Sequence, residues 1–355
     1  MIKDLLKQLW KDKFARLAMV VLALIYLSLL FADFISPYTK DFSDRTMAYV
    51  PPSKIFTIDE HGKFSKPYTY NYVRSFDSVK LEITYSLDRT QKHYIKFFAI
   101  GQPYKFLGLI PMKRHLFTTD NTGRIYLLGT DINGRDVFSR LFFGGRISMT
   151  IGFLALFVLF PIGLLYGGIS GYFGGKIDAV MMRFAESIMS IPSFYLLIIL
   201  ASVLPSGMTS TQRFLLIVII LALIGWAGFA RVIRGMVLSI KTQEYVQAAQ
   251  AIGASKLRII IKHILPQTTS FVIVAMTLSV PSYILSESGL SFLGLGIQQP
   301  DASWGNMLKE AQEFTNILYR PWLLTPGFLI FISVLSFNLI GDTVRDVLDP
   351  KSKVR

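Results

Sequence analysis

Apolar residues in this chain are gathered into runs of about twenty, separated by polar stretches. A run of that length, wound as a helix, spans roughly 30 Å, the thickness of a bilayer's hydrocarbon core. Six runs qualify: residues 17–35, 147–169, 185–204, 214–237, 270–293 and 323–340. The pattern predicts an all-α polytopic membrane protein with six transmembrane helices. The first run follows a basic head, as a cleavable signal peptide would. It is long and lacks a small-x-small cleavage site, which favours an uncleaved anchor.

The polar stretches carry patterns of their own. Residues 36–128 form an insert between the first two runs, rich in Tyr, Phe, Thr and Lys. Alternation over 80–85 and 94–100 predicts strands, so a small β-containing domain is expected there. The remaining divisions are a tail at 1–16, a core at 129–342 and a second tail at 343–355. Between the fourth and fifth runs lies EYVQAAQAIGASKLRIIIKHILP, residues 244–266. Ala-rich helix formers lead to a break at Gly253. A second short helix follows, which the Ser255 hydroxyl is expected to cap and Pro266 to close. Its apolar stripe would be Leu257, Ile260, Ile261 and Ile264, with Lys256, Arg258 and Lys262 elsewhere. Such a helix suits either a groove on a soluble partner or the lipid headgroup layer.

Composition narrows the class. The 355 residues are 52% hydrophobic and only 17% charged, with a mean hydropathy of +0.46, which is outside the habit of soluble domains. The net charge of +14 would suit nucleic acid, but no segment concentrates Lys and Arg among aromatics. Basic residues cluster instead at Lys3, Lys7, Lys11, Lys13 and Arg16, at Arg231, Arg234 and Lys241, and over 345–355. The positive-inside rule then puts both termini, the loop at Lys176 and residues 241–262 in the cytoplasm, with the insert outside. No cysteine is present, so disulfides, thiol catalysis and zinc–thiolate sites are excluded.

Enzyme chemistry finds no foothold. Gly175-Lys176 is not a nucleotide-binding loop, because Ser170 stands where its first Gly belongs and Ile177 follows the Lys. His61, His93, His115 and His263 are scattered, without metal-ligand spacing. Gly289-Leu290-Ser291 lacks the second Gly of a nucleophile elbow. No catalytic residue, metal or resident cofactor is expected. Gly163, Gly167 and Gly171 at four-residue spacing, with Pro161, Pro192 and Pro281, predict bent and closely packed helices. Glu287 is the one carboxylate deep in an apolar run, flanked by Ser286 and Ser288. It either lines a path through the membrane or is held by those serines near the end of its helix. Asn338 and Asp342 read as helix packing and as the helix leaving the membrane.

Three stretches carry a resemblance. Gln247, Ala248, Ala249, Gly253, Leu265 and Pro266 follow in order the cytoplasmic "EAA" loop of bacterial ABC importer permeases. Gln247 replaces the usual Glu, and Gln267 stands where Asn is common. Residues 129–148, GTDINGRDVFSRLFFGGRIS, resemble the signature before the second span of oligopeptide and dipeptide permeases. Gly129, Thr130, Asp131, Gly134, Arg135, Asp136, Ser139 and Arg140 carry it. Read by itself, that stretch is a turn at Asp131 and Asn133-Gly134 followed by a short amphipathic helix over 136–143. GLGIQQPDASWG resembles a third signature through Pro300, Ser303, Trp304 and Gly305. Gly341-Asp342, Arg345-Asp346 and Leu348-Asp349-Pro350 close the match.

The chain is identified on these grounds as a member of the peptide-class ABC importer permeases, of the second type. The resemblance implies the type I importer permease fold in the bacterial cytoplasmic (inner) membrane. It implies a homologous permease as heterodimer partner, an extracytoplasmic substrate-binding protein, surrounding membrane lipid and two cytoplasmic ATPases that themselves bind ATP and Mg. The ATPases would couple through Glu244, Gln247, Ala248, Ala249, Gly253, Ala254, Ser255, Leu257, Ile261, His263, Leu265 and Pro266. Peptides are the implied substrates, with nickel, opines or modified peptides as alternatives in the same class. A channel or secondary transporter working without ATPases is the different-class alternative; it would place several ionisable residues or repeats at mid-membrane, where only Glu287 stands out.

Overall fold

The computed structural model describes residues 2–59, 62–78, 82–120, 122–205 and 207–348. His61, Lys80, Asp349, Pro350 and the basic tail beyond them lie outside the described residues. The chain opens with α1 (Ile2–Lys11), α2 (Lys13–Leu30) and α3 (Ala32–Ile35). The insert follows with β1 (Phe56–Ile58), β2 (Phe64–Thr69), β3 (Tyr72–Asp77), β4 (Glu82–Leu87), β5 (His93–Tyr94), β6 (Lys96–Phe97), β7 (Ile100–Phe106), β8 (Ile110–Arg114) and β9 (Phe117–Thr118). Next come α4 (Val137–Phe173), α5 (Gly175–Met189), α6 (Ser193–Ser202), α7 (Ser210–Ile240), α8 (Glu244–Ala251), α9 (Lys256–Ile259) and α10 (Thr269–Phe292). The last elements are α11 (Trp304–Leu308), α12 (Phe314–Tyr319) and α13 (Thr325–Leu348).

Five helical stretches are long and apolar enough to cross a membrane: Lys13–Leu30, Val137–Phe173, Ser210–Ile240, Lys256–Phe292 and Pro321–Leu348. A sixth crossing exists if α5 and α6 count as one, but these two are bent by 77°. The single run expected over 185–204 is therefore broken. Pro192 is the reason, since it drives the residue before it out of helical backbone. The first run also ends early, at Leu30, and α3 restarts after Phe31.

The residues cluster into two compact units. One comprises residues up to Leu22, Met149–Leu290 and those from Phe331 on. Here the glycine stripe of α4 lies against α7. A Cβ at Gly163 would meet the Phe229 ring, at Gly167 the Ala230 carbonyl, and at Gly171 the Arg234 carbonyl at 2.8 Å. Backbones this close gain dispersion contacts that larger side chains would forbid. Leu9 and Ala15 pack with Val344, so the N-terminal tail is helical and anchored to the end of α13.

The other unit comprises Ala23–Ser148 and Ser291–Ile330. Its sheets are small and antiparallel: one of three strands in the order β1-β2-β5, and the pairs β3–β4, β6–β9 and β7–β8. Tyr38, Val50, Tyr72 and Tyr126 form a buried, mostly aromatic cluster beside them, with Tyr38 stacked on Phe42 at 4.2 Å. Burial pushes the Tyr38 phenol well above its usual range. The short helix expected over 136–143 is instead the first part of the unbroken α4. Gly144 and Gly145 do not interrupt it, because the space their missing side chains leave is filled by Ala302, Ser303 and Trp304.

Candidate functional site

Three polar regions stand out, and each is built differently. The first is residues 244–266. Its opening helix, α8, has Glu244 in the first turn, where a carboxylate complements the helix dipole. It ends in a Schellman turn: Gly253 N–H donates to the Gln250 carbonyl at 3.0 Å and Ala254 N–H to the Ala249 carbonyl at 3.1 Å. Gly253 has a φ of +79°, which only glycine adopts cheaply, and open space where its side chain would be. Gln247 Nε2 donates to the Thr242 carbonyl at 3.1 Å. A glutamate there would have no proton to give, so the departure from the family pattern serves the local fold.

The second half of this region corrects two expectations. Ser255 occupies the N-cap position of α9, but its side chain makes no capping hydrogen bond. Pro266 does not close a helix. The chain runs from α9 through a π turn at Ile260–Ile264 and a 3-10 turn at Leu265–Thr268 directly into α10. Leu265 N–H donates to the Ile260 carbonyl, five residues back. That wider turn makes room for a proline ring that would clash in α geometry. The apolar stripe is split as well. Ile259, Ile260 and Ile264 are buried; Leu257 and Ile261 face outward. Ile259 and Ile264 join Val246, Ala249, Ile233 and Val237 in one core cluster, on which Ala254 and Leu265 also pack. Tyr245, Ile252 (85% exposed), Leu257 and Ile261 are left as outward apolar groups. Ala248 and Pro266 are exposed and His263 half-buried.

Close by, polar groups tie α4, α5 and α7 together. Asp178 accepts from the Ser170 hydroxyl at 2.5 Å and from Arg234 Nε at 3.0 Å, with a second short contact to the same guanidinium. Lys241 Nζ donates to the Gly171 carbonyl at 2.9 Å, neutralising the negative end of α4. Arg234, one of a basic cluster in the sequence, is thus half of an ion pair with Asp178, a residue that no sequence pattern marks.

The second region is a cavity of about 220 Å³ in the same unit. Ser193, Phe194 and Leu197 of α6, Leu221, Ile224 and Gly225 of α7, and Ser279, Ser282, Tyr283 and Ser286 of α10 line it. The four α10 residues follow i, i+3, i+4, i+7 spacing and so share one helix face. Of the three expected path residues, Ser286 is in this lining. Glu287 is fully buried and Ser288 nearly so, and neither is among the residues that line the cavity. Ser288 Oγ lies 3.5 Å from a Glu287 carboxylate oxygen.

The third region is the 129–140 signature, in the other unit. Asp131 is its hub: Oδ1 accepts from Asn133 N–H at 2.9 Å and Arg135 N–H at 3.0 Å, and Oδ2 from Arg135 Nε at 2.6 Å. Thr130 Oγ1 donates to the Met47 carbonyl at 2.6 Å and accepts from Val50 N–H at 2.8 Å. Asp136 begins α4, accepting from Ser139 N–H at 2.8 Å and its hydroxyl at 2.6 Å. Burial nevertheless raises the Asp136 carboxyl to about 7. Gly134 has φ +67°, and a side chain there would collide with the Asp44 carbonyl; Gly129, at φ +69°, lies against Val50, whose carbonyl a Cβ would meet at 2.6 Å.

This cluster grips the third signature. Arg135 binds the Gln299 side chain, which Arg140 also donates to at 3.1 Å; Arg140 reaches the Pro300 carbonyl at 3.0 Å. Ile132 N–H donates to Glu310 at 3.0 Å, and burial raises that carboxyl to about 7. Trp304 is wholly buried, donating from its indole to the Leu141 carbonyl at 2.8 Å and from its N–H to Ser148 Oγ at 3.0 Å. Gln299 and Glu310 were not foreseen. Among the described residues no group of acidic or histidine side chains is arranged to hold a metal. Asn338, expected to pack between helices, is exposed on α13.

Comparison with known proteins agrees with the architecture. Residues 160–354 match the family described as binding-protein-dependent transport system inner membrane component. Residues 1–52 match the N-terminal transmembrane domain of oligopeptide transport permease C. A dipeptide transport system permease protein of Bacillus subtilis is 45% identical over 225 residues, covering 63% of this chain and 68% of the relative. Oligopeptide transport system permease proteins of Haemophilus influenzae and Escherichia coli are each 43% identical, over 229 and 230 residues. The matched stretches cover 64% of this chain and 71% and 73% of those relatives.

Proposed function

Because the chain belongs to the binding-protein-dependent inner-membrane transport components, as a second-type permease of the peptide-class ABC importers, we propose that it forms half of an ATP-driven peptide pathway. In this reading two separate cytoplasmic ATPases dock on residues 244–266, a homologous permease supplies the other half, and an extracytoplasmic binding protein delivers the ligand. Both termini face the cytoplasm.

One observation carries the coupling role. Val246, Ala249, Ile259 and Ile264 root the loop in a core shared with α7, while Tyr245, Ile252, Leu257 and Ile261 point outward. An apolar, outward, structurally fixed surface in a polar loop is what a helix-in-groove contact requires. Because its roots are the side chains that pack on α7, a displacement of the loop moves the span with it. Packed cores switch between discrete arrangements rather than deforming continuously, so such a push selects one of two bundle packings.

The serine-lined cavity suits the cargo. The hydroxyls of Ser282 and Tyr283 can donate to or accept from peptide backbone whatever its side chains, while those of Ser279 and Ser286, whose protons go to the Ala275 and Ser282 carbonyls, can accept from it. Selection among peptides then rests with the delivering protein. Exposed Asn338 and Ser282 support a second permease, since polar groups on membrane helices turn to protein or water rather than lipid.

The test is a mild-detergent pull-down from native membranes, comparing wild type with Leu257→Glu/Ile261→Glu. Wild type is expected to bring down a second permease and nucleotide-binding ATPases. The double variant should keep the permease and lose the ATPases and peptide uptake. A chain that purifies alone, or a variant that retains both ATPases and uptake, overturns the proposal.

A further inference from the structure

The insert leaves one part of its surface unusually apolar. The β7–β8 hairpin exposes Ile100, Leu107, Leu109, Ile110 and Met112, with Leu109 82% exposed at the tip. A soluble loop of this kind would be an aggregation liability. This one is rigidly placed. The Phe106 ring lies 5.7 Å from Phe31 and that of Phe98 6.0 Å from Phe34. Leu107 N–H donates to Asp33 at 3.2 Å, and Asp33 pairs with Arg146 at 2.7 Å. Arg146 Nε in turn donates to the Leu29 carbonyl at 2.7 Å, at the end of α2. His115 sits within hydrogen-bond distance of the Ser36 and Gln102 carbonyls, at 2.6 and 2.8 Å.

These ties fix the depth of the hairpin relative to the span. Phe106, Ile110 and Met112 face Leu24, Leu27 and Phe31 across a groove of about 850 Å³. Leu24 lies six residues before the last residue of α2, hence about 9 Å down the helix from its end. A hairpin that shares a groove with Leu24 therefore stands beside the span at bilayer depth. Apolar segments that lie in the interface sink about 5–10 Å below the headgroups, the same range. The charge pattern agrees: between Gln91 and Thr119 the chain carries Lys92, Lys96, Lys105, Lys113 and Arg114 and no acidic residue. Basic side chains around an apolar tip suit phosphate headgroups above hydrocarbon.

We propose that the groove between the end of α2 and the β7–β8 hairpin holds the acyl chain of a bilayer phospholipid, with the hairpin tip embedded in the membrane. The groove is wide and open on one side, and its lining is the side chains hydrocarbon packs against. The insert is thereby a membrane-anchored element rather than a domain standing clear of the lipid.

The chain contains no cysteine, so single reporters are clean to introduce. The full chain, with whatever subunits co-purify, would carry a fluorophore at Ile110→Cys, Leu109→Cys or the exposed control Gln91→Cys. Each would be reconstituted in phosphatidylglycerol and phosphatidylethanolamine vesicles. Nitroxide lipids labelled high on the acyl chain are expected to quench positions 109 and 110 severalfold more than 91, and iodide in the buffer to do the reverse. Equal iodide quenching at all three positions overturns the proposal, since the hairpin then stands in water. Protection of 109 and 110 from both quenchers also overturns it, because a protein then covers this face.

Discussion

The 129–140 signature and the 244–266 loop are both polar interruptions of an apolar chain, yet they spend their chemistry in opposite ways. Around Asp131 the charges are buried and turned on one another, and their long-range partners Gln299, Pro300 and Glu310 come from the same chain. In 244–266 the backbone is satisfied locally, while four large apolar side chains are presented outward. A buried polar network rigidifies a fold to the extent that its members find partners; here most do, while Arg135 Nη2, Asp136 Oδ1 and Arg140 Nε make no hydrogen bond. An outward apolar set is stable only when something else completes it. A family signature can therefore be a buried fastening or an outward apolar set, and burial tells which.

The contrast can be broken most severely at Trp304. Trp304→Ala removes a wholly buried indole and its hydrogen bond to the Leu141 carbonyl, and should cost about 3–5 kcal/mol. The expected outcome is loss of folded chain from membranes, read as a fall in detergent-resistant yield. A matched pair of glycine substitutions sharpens the difference. Gly134→Ala meets both a left-handed backbone and the Asp44 carbonyl, and should cost more than about 2 kcal/mol. Gly253→Ala meets the backbone strain alone, about 1 kcal/mol, because nothing fills its side-chain space. Membrane levels should fall for the first and hold for the second; equal levels would erase the distinction.

The smallest effect is one of pH. Burial holds the Glu310 carboxyl at about 7, above its usual 4.5, so the folded chain keeps a proton that the unfolded chain releases. That stability is complete below about pH 4.5 and is lost as pH rises towards 7. Asp136 acts in the same direction. The thermal midpoint of the purified protein should fall as pH is raised from about 5 to about 8, and Glu310→Gln should flatten the slope.

The spans were legible because burial in lipid demands apolar length, and length is written residue by residue. The break at Ser190–Pro192 is half-legible: Pro192 marks its place, but the size of the bend depends on what α5 and α6 pack against. Pro266 misleads because the closing rule presumes an isolated helix, whereas this one continues into α10 through a widened turn. Ser255 stands at the other end of α9, where nothing in the structure explains the cap it leaves unmade. The grip of Arg135 and Arg140 on Gln299 joins positions about 160 residues apart, and no local pattern encodes such a pairing. The signal that was available was the co-occurrence of two polar signatures, each too charged to be buried without the other. Insert strands of two or three residues leave almost no periodicity to detect.

The π turn at Ile260–Ile264 is also a matter of angular register. A turn closed by bonds to the fifth residue back holds one residue more than an α turn, and each α residue is worth about 100° of rotation. The turn thus sets the direction in which Leu257 points relative to the buried face of α10. Substitutions that keep its residue count preserve that aim. Deleting a single residue there would rewind the segment as plain α-helix with Leu257 aimed much as it is now, whereas forcing the full-length segment into plain α geometry would swing Leu257 by about 100°.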